Sequence, residues 1–342
     1  MVDPKDIDFY SLGFNFIPTK TMFVATHKNG NWDSGELIPF GNFEISPASC
    51  VLNYGQGIFE GMKALRAKNG EITLFRPIEN AKRFNFSAKR MLMPEFDVSK
   101  FIDAVKKIVK ANEEYIPPYD SEGALYIRPI LFGYGPILGV HSAEEFKLII
   151  FTVPVGPYFP EGFKGIDLEI SKEYTRAAPG GTGSAKTICN YAGTMLPAKQ
   201  AKSRGFAQIL FLDAVQLEFI EEVGAANFFG MIDGKLTTPR KTGTILEGIT
   251  RESILELASN KLGLEVEERD ISYKELFDES CTETFCSGTA AVITPIASVS
   301  LENNTRVFNN REPGEVTKKI YDLLTGIQRL EIDDEFGWMT KV

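Results

Sequence analysis

Lys186 closes a glycine-rich run, Gly180-Gly181-Thr182-Gly183-Ser184-Ala185-Lys186-Thr187. A lysine on a tight, flexible turn has two common chemical uses. It holds a phosphate as a point charge, or it forms an imine with a carbonyl compound. The polar ring of Tyr191 follows shortly after. An acidic segment of buried type, Glu221-Glu222-Val223-Gly224, lies farther on.

The phosphate reading rests on a near match to G-x-x-x-x-G-K-[ST], followed by an apolar strand ending in an acid, Ile209-Leu210-Phe211-Leu212-Asp213. Together these suggest a P-loop nucleotide-binding protein. Three details oppose it. Ala185 adds a Cβ where the backbone must wrap closely round phosphate. The segment leading into the turn, Lys172 to Arg176, is polar rather than an apolar strand. Cys189-Asn190-Tyr191-Ala192-Gly193 reads as a poor first helical turn.

The imine reading asks for more partners. A pyridoxal phosphate enzyme needs a lysine for the aldehyde, a carboxylate for the ring nitrogen, a donor to the ring oxygen and an anion cradle. Glu222 and Tyr191 are candidates for the second and third. Gly248-Ile249-Thr250, at an expected helix start, offers backbone N–H groups and the positive end of a helix dipole. Ser287-Gly288-Thr289-Ala290 is a second small-residue turn, and Arg83 would supply charge. Each has a bland alternative: a solvated glutamate, a plain cap, an exposed arginine, an ordinary turn. Their combination and order carry the reading.

The elements that must position these residues follow from pattern. Asn29-Gly30 and Asn69-Gly70 read as hairpin turns with positive φ. Ala81, Phe84, Ala88 and Leu92 share one face of a helix expected from Ile78 to Leu92. A second helix is expected from Val98 to Glu114, ending before Pro117-Pro118. Leu125 to Phe132 alternates as a strand, which places Tyr126 and Arg128 on one face. Lys147 to Val153 reads as a buried strand. The proline-rich Val153-to-Pro160 segment is a stiff extended linker. The expected organisation is an N-terminal α/β domain at 1–153, a linker at 154–165, and a C-terminal α/β domain at 166–342 carrying Lys186. In the second half, strands are expected at Asp167 to Ser171 and Gln208 to Leu212, with a helix near Tyr191 to Ser203. A hairpin turns at Asp233-Gly234. Thr250 reads as a helix N-cap, and Thr284 to Val292 as a strand interrupted by Ser287-Gly288-Thr289. The class is mixed α/β, or α+β.

Composition bounds the rest. The chain has 342 residues, 43% hydrophobic and 24% charged, with a net charge of −9. That argues for a globular protein and against general nucleic-acid binding. The mixed N-terminus lacks the pattern of a signal peptide, and no apolar run suggests a membrane helix. Cys50, Cys189, Cys281 and Cys286 lack zinc spacing, so reduced thiols in the cytoplasm and no metal are expected.

At this point the sequence resembles the branched-chain amino-acid aminotransferases, fold type IV pyridoxal phosphate enzymes. The resemblance runs from Leu12-Gly13-Phe14 to about Gln328. It is carried by Tyr54-Gly55-Gln56-Gly57-Ile58-Phe59-Glu60-Gly61-Met62-Lys63-Ala64, Asn80-Ala81-Lys82-Arg83, Leu125-Tyr126-Ile127-Arg128-Pro129 and Val155-Gly156-Pro157-Tyr158-Phe159. Gly180-Gly181-Thr182-Gly183, Lys186 with Asn190-Tyr191, Glu222-Val223-Gly224 and Ser287-Gly288-Thr289-Ala290 complete it.

The resemblance implies a two-domain fold type IV architecture and transamination of Leu, Ile and Val with 2-oxoglutarate. It implies attachment of pyridoxal 5'-phosphate at Lys186, with Glu222 on the pyridine nitrogen and Tyr191 on the ring oxygen. Arg83, Ile249, Thr250 and Thr289 would hold the phosphate. Phe14, Tyr54, Phe59, Tyr126, Arg128, Tyr158, Thr289 and Ala290 would form the substrate pocket of a homodimer. Aromatic walls suit aliphatic side chains, and Arg128 with Tyr126 suits the distal carboxylate of glutamate. The nearest alternative is another enzyme of the same fold, a D-amino acid aminotransferase or an aminodeoxychorismate lyase. Two positions depart from relatives. Ala225-Ala226 stands where many carry Thr or Met, and Ala291 and Thr294 replace a redox cysteine pair found in some mammalian relatives.

Overall fold

The computed structural model describes residues 2–156, 163–290 and 292–342. Tyr158 and the rest of residues 157–162 lie outside the described residues. The chain forms two compact units. The first comprises Met1–Pro160, Ala185–Cys189 and Gly326–Val342; the second comprises Glu161–Ser184 and Asn190–Thr325. The segment bearing Lys186, expected in the C-terminal domain, therefore belongs with the first unit. Its backbone and the Thr187 hydroxyl bond to residues 57 and 59, which hold it there.

The first unit is built on an antiparallel sheet. Its strands are β1 (Thr21–Lys28), β2 (Asn31–Trp32), β3 (Glu36–Pro39), β4 (Gly57–Phe59), β5 (Met62–Arg66), β6 (Ile72–Phe75), β7 (Ala124–Gly133) and β8 (Phe146–Val155). The order runs from the C-terminal strand Met339–Lys341 through β6, β5, β7, β8 and β1 to β2; β3 lies on β1 and β4 on β7. Between β1 and β2, Asn29 and Gly30 both take positive φ, as expected. Between β5 and β6 only Gly70 does. The loop is longer there, closed by the Ala67 N–H bonding to the Glu71 carbonyl at 2.8 Å.

Short α1 spans Cys50–Tyr54, and two longer helices cover the core face of the sheet. Helix α2 (Pro77–Arg90) starts on a proline, which fits the first helical position because its missing N–H is not needed there. It buries Ala81, Phe84 and Ala88. Helix α3 (Val98–Ala111) is capped by Asp97, whose side chain accepts from the Lys100 N–H at 2.9 Å. It buries Phe101, Ala104, Val105, Ile108 and Val109 at helical spacing. It ends before the expected Glu114 because Asn112 is committed elsewhere. That buried amide bonds the backbone and hydroxyl of Thr21 and the hydroxyl of Thr152.

The second unit holds β9 (Ile166–Ser171), α4 (Cys189–Ala192, shared with the first unit), α5 (Met195–Ser203), β10 (Gln208–Leu212), β11 (Ile220–Val223), β12 (Ala226–Ile232) and β13 (Lys235–Pro239). They are followed by α6 (Ile249–Leu262), β14 (Val266–Arg269), β15 (Cys281–Gly288), β16 (Val292–Leu301), β17 (Asn304–Val307) and α7 (Glu315–Gln328, whose residues from Gly326 on are assigned to the first unit). The sheet order is β11-β10-β9-β16-β15-β12-β13-β14, and β11 also pairs with β12, closing six of these strands into a ring. Strand β9 is parallel to both β10 and β16. Phe228, Phe229 and Phe285 are fully buried here.

Two expectations change. Thr250 is inside α6; the N-cap is Gly248. A side chain at 248 is excluded because its Cβ would stand 2.1 Å from Asn227 Oδ1. The segment 284–292 is not one interrupted strand. Gly288 ends β15 and pairs with Val292 of β16, so Thr289 and Ala290 sit in a hairpin turn. Among the described residues no helix is long and apolar enough to cross a membrane.

Candidate active site

In the first unit, Lys186 is held by its backbone on both sides. Its N–H donates to Ser87 Oγ at 2.9 Å, and its carbonyl accepts from the Phe59 N–H at 3.0 Å. The next residue, Thr187, bridges Ile58 and donates its hydroxyl to the Gly57 carbonyl at 2.7 Å. The lysine thus lies alongside β4, as an added strand segment rather than at the start of a long helix. A P-loop lysine would head such a helix; here the four-residue α4 comes next. Lys186 Nζ lies 4.7 Å from the centroid of the Phe59 ring.

The break between β4 and β5 creates the second group of side chains. The Glu60 N–H donates to the Pro129 carbonyl at 2.9 Å, but proline has no N–H to return. The ladder lapses at Glu60-Gly61, and the Glu60 carboxylate is buried completely. Arg83 Nε and Nη2 grip its two oxygens at 2.7 and 2.9 Å. Asn80 Nδ2 adds a bond at 2.8 Å and the Gly61 N–H another at 3.1 Å. Burial alone would push the Glu60 carboxyl up. The Arg83 charge and hydrogen bonds, aided by the Lys186 charge and Asn80, outweigh it and hold the group below the usual carboxylate range. Asn80, Arg83 and Ser87 recur at i, i+3 and i+7, so they form a polar stripe on α2 beside the apolar one.

The expected strand face is also present. Arg128 Nη2 donates to the Tyr126 hydroxyl at 3.1 Å, and the Arg128 guanidinium lies 4.8 Å from the Phe59 ring centroid. Phe14 meets Tyr126 edge-on at 5.2 Å. Gly61 makes room for them, since a Cβ there would stand 2.1 Å from the Tyr126 hydroxyl. Lys63 is the cross-strand partner of Tyr126, and burial together with the Arg329 charge pushes its amine down to about 8. Tyr54 is not gathered into this group. It is 40% exposed, and its hydroxyl donates to the Leu138 carbonyl.

In the second unit, Glu222 sits on β11 where the ring of strands closes, opposite Phe211 and Asn227. Arg176 Nη1 pairs with its Oε2 at 2.7 Å, with side chains 2% and 1% exposed. The same Nη1 donates to the Thr244 carbonyl at 3.0 Å. Asn227 Nδ2 bonds Glu222 Oε1 at 3.3 Å and the Leu246 carbonyl at 2.9 Å. Burial raises the carboxyl of the neighbouring Glu221, despite the Thr244 hydrogen bond and the Arg176 charge. Asn190 and Thr182 exchange two hydrogen bonds, at 2.6 and 2.8 Å, which brace the glycine turn ahead of Tyr191. Ile249 and Thr250 occupy the first turn of α6, which has no side-chain cap. The buried Ser287 Oγ, just ahead of the Thr289-Ala290 turn, has no hydrogen-bond partner among the described residues.

Sequence reasoning assigns no role to Glu60, Arg176, Ser87 or Asn227. The i, i+3, i+7 polar stripe on α2 is the available signal for Ser87.

Residues 57–299 match the model of the amino-transferase class IV family. This chain belongs to that family. Among the class IV aminotransferases, the chloroplastic branched-chain-amino-acid aminotransferase 2 of Arabidopsis thaliana is 44% identical over 338 residues, covering 98% of this chain and 86% of the relative. The branched-chain-amino-acid aminotransferase of Helicobacter pylori is 42% identical over 344 residues, covering 100% of both. The solved structure of the Thermobaculum terrenum branched-chain amino acid aminotransferase in its PLP form is 25% identical, with a TM-score of 0.79 over 95% of this chain and 98% of that one. The mixed α/β architecture expected from sequence is thus that of the fold type IV aminotransferases.

Proposed function

We propose that this aminotransferase exchanges amino groups between branched-chain L-amino acids and 2-oxoglutarate, with pyridoxal 5'-phosphate attached at Lys186. The observation that carries the reading is Lys186 itself. It is fixed through its backbone to Ser87 and Phe59 while its side chain lies by Phe59 and near Glu60. The residues present fit the cofactor. A buried carboxylate gripped by a guanidinium suits a protonated ring nitrogen. The uncapped first turn of α6 and the orphaned Ser287 hydroxyl suit an anion.

When bound, the cofactor would supply an aldehyde for the amino group and a ring that accepts the electrons released at the substrate α-carbon. Lys186 would hold the cofactor through its side-chain amine, and that amine would carry the α-proton as general base and acid. Glu222, paired with Arg176 at 2.7 Å, would bear on the ring nitrogen. Tyr191 serves the ring oxygen. Arg83, Ile249, Thr250 and Thr289 take the phosphate. Phe14, Tyr54, Phe59, Tyr126, Tyr158 and Ala290 bind the aliphatic side chain and orient the substrate. Arg128, steered by the Tyr126 hydroxyl, takes the distal carboxylate of glutamate. A homodimer in the cytoplasm is part of the same reading.

The test is a panel of amino donors assayed with 2-oxoglutarate. Leu, Ile and Val should turn over well and D-alanine should not. A preference for D-amino acids would overturn the substrate reading. Lys186→Ala should abolish turnover, and residual transamination at more than a trace would remove Lys186 as the base.

A further inference from the structure

Arg83 is committed to a fully buried acid, which holding a phosphate does not by itself require. Glu60 accepts hydrogen bonds from Arg83 Nε at 2.7 Å, Arg83 Nη2 at 2.9 Å, Asn80 Nδ2 at 2.8 Å and the Gly61 N–H at 3.1 Å. Its own position is fixed by the Pro129 contact at the break between β4 and β5. A guanidinium is planar, with its donors in a rigid fork. Gripping Nε and Nη2 therefore fixes the plane and sets where Nη1 points. An arginine on a helix otherwise samples many rotamers, and ordering it on ligand binding costs entropy.

We infer that Glu60 is a positioning residue for the cofactor phosphate, clamping one edge of Arg83 so that the guanidinium is pre-oriented for the anion. The inference rests on the reading of Arg83 as a phosphate ligand. Two opposing effects must be weighed. As a negative charge near the phosphate, Glu60 repels it; as a clamp, it pre-orients the cation. The four hydrogen bonds and complete burial make the clamp the larger effect. Glu60→Gln keeps the shape but turns an amide N–H₂ towards the donors of Arg83, so the guanidinium must swing away. Charge alone would predict tighter phosphate binding in that variant; clamping predicts weaker binding.

The experiment compares equilibrium binding of pyridoxal phosphate and of pyridoxal, which lacks the phosphate, to the cofactor-free protein. The variants are Glu60→Gln, Arg83→Ala and the double variant. The ratio of the two affinities isolates the phosphate. It should fall about tenfold in Glu60→Gln, as expected for losing one charge-assisted interaction. It should fall at least as far in Arg83→Ala and no further in the double variant. A ratio unchanged or raised in Glu60→Gln, with Arg83→Ala lowered, overturns the clamp and leaves Arg83 a phosphate ligand. An unchanged ratio in Arg83→Ala overturns that underlying reading instead. A further, additive fall in the double variant also overturns the clamp. If Glu60→Gln does not fold, Asn80→Ala loosens the same carboxylate and should lower the ratio several-fold; no change there overturns the clamp equally.

Discussion

The Arg176–Glu222 pair offers the sharpest stability test. Replacing Arg176 by Met keeps much of the volume but leaves a carboxylate that is 1% exposed without its partner at 2.7 Å. It also strips a donor from the Thr244 carbonyl and a weaker one from the Gly183 carbonyl, at 3.3 Å. Removing one partner of a buried ion pair costs about 3–5 kcal/mol, because the remaining charge stays desolvated. For a unit of this size each kcal/mol lowers the melting temperature by about 2–4 °C, so a fall of roughly 6–20 °C is expected. The assay is thermal or urea unfolding of the cofactor-free protein, followed by far-UV circular dichroism, so that ligand binding does not add its own stabilisation. Glu222→Gln alone should also destabilise. The double variant Arg176→Met/Glu222→Gln should be more stable than the sum of the single losses by at least about 1.5 kcal/mol, the coupling expected of residues in contact. Strictly additive losses would refute the view that Arg176 matters by neutralising Glu222. They would place its role in bonding the Gly183 and Thr244 carbonyls.

Three further outcomes follow from the geometry. Gly61→Ala puts a Cβ where the Tyr126 hydroxyl lies; displacing that hydroxyl from Arg128 should raise KM for 2-oxoglutarate several-fold more than KM for leucine, in steady-state kinetics. Lys63, pushed down to about 8 by burial and Arg329, is held in the folded state less readily charged than in the unfolded chain. Its protonation therefore costs stability fully below pH 8, and that cost fades as pH rises towards about 10.4, the unfolded value. Unfolding measured from pH 7 to 10.5 should show Lys63→Met more stable than the parent at pH 7, with the gap closing at high pH. Finally, burial pushes the thiols of Cys281 and Cys286 up to about 12, whereas Cys189 is exposed. Alkylation of the native protein at pH 8, mapped by mass spectrometry, should mark Cys189 and leave Cys281 and Cys286 untouched until denaturant is added.

Much of the scaffold is readable because its signals are local. The apolar spacing of α2 and α3, the alternation placing Tyr126 beside Arg128, and the paired positive φ at Asn29-Gly30 depend on near neighbours in sequence. The features that escape such reading depend on distant ones. Thr250 looks like a cap until Asn227 Oδ1 is seen filling the space that makes Gly248 the cap instead. Asn112 ends α3 early because Thr21 and Thr152 claim its amide. Glu60 and Arg176 carry no local mark as buried charges, since each is defined by a partner far along the chain. An isolated acid or arginine in sequence reads as surface. The stretch Lys172 to Arg176 reads only as a polar lead-in to the glycine turn, yet its last residue is the one that holds Glu222.

The first unit also draws on the last residues of the chain: Met339–Lys341 pairs with β6, and Ala185–Cys189 lines β4. A nascent chain emerging from a ribosome therefore cannot finish this sheet when its first half is out. Until residues 339–341 have emerged, β6 presents an open edge, the kind of surface that invites pairing with a neighbouring chain. Chains cut near residue 160 should inherit that exposed edge permanently. Lys186 reaches its place only when the middle of the polypeptide returns to structure begun earlier, so delivery of the reactive amine precedes completion of the first sheet.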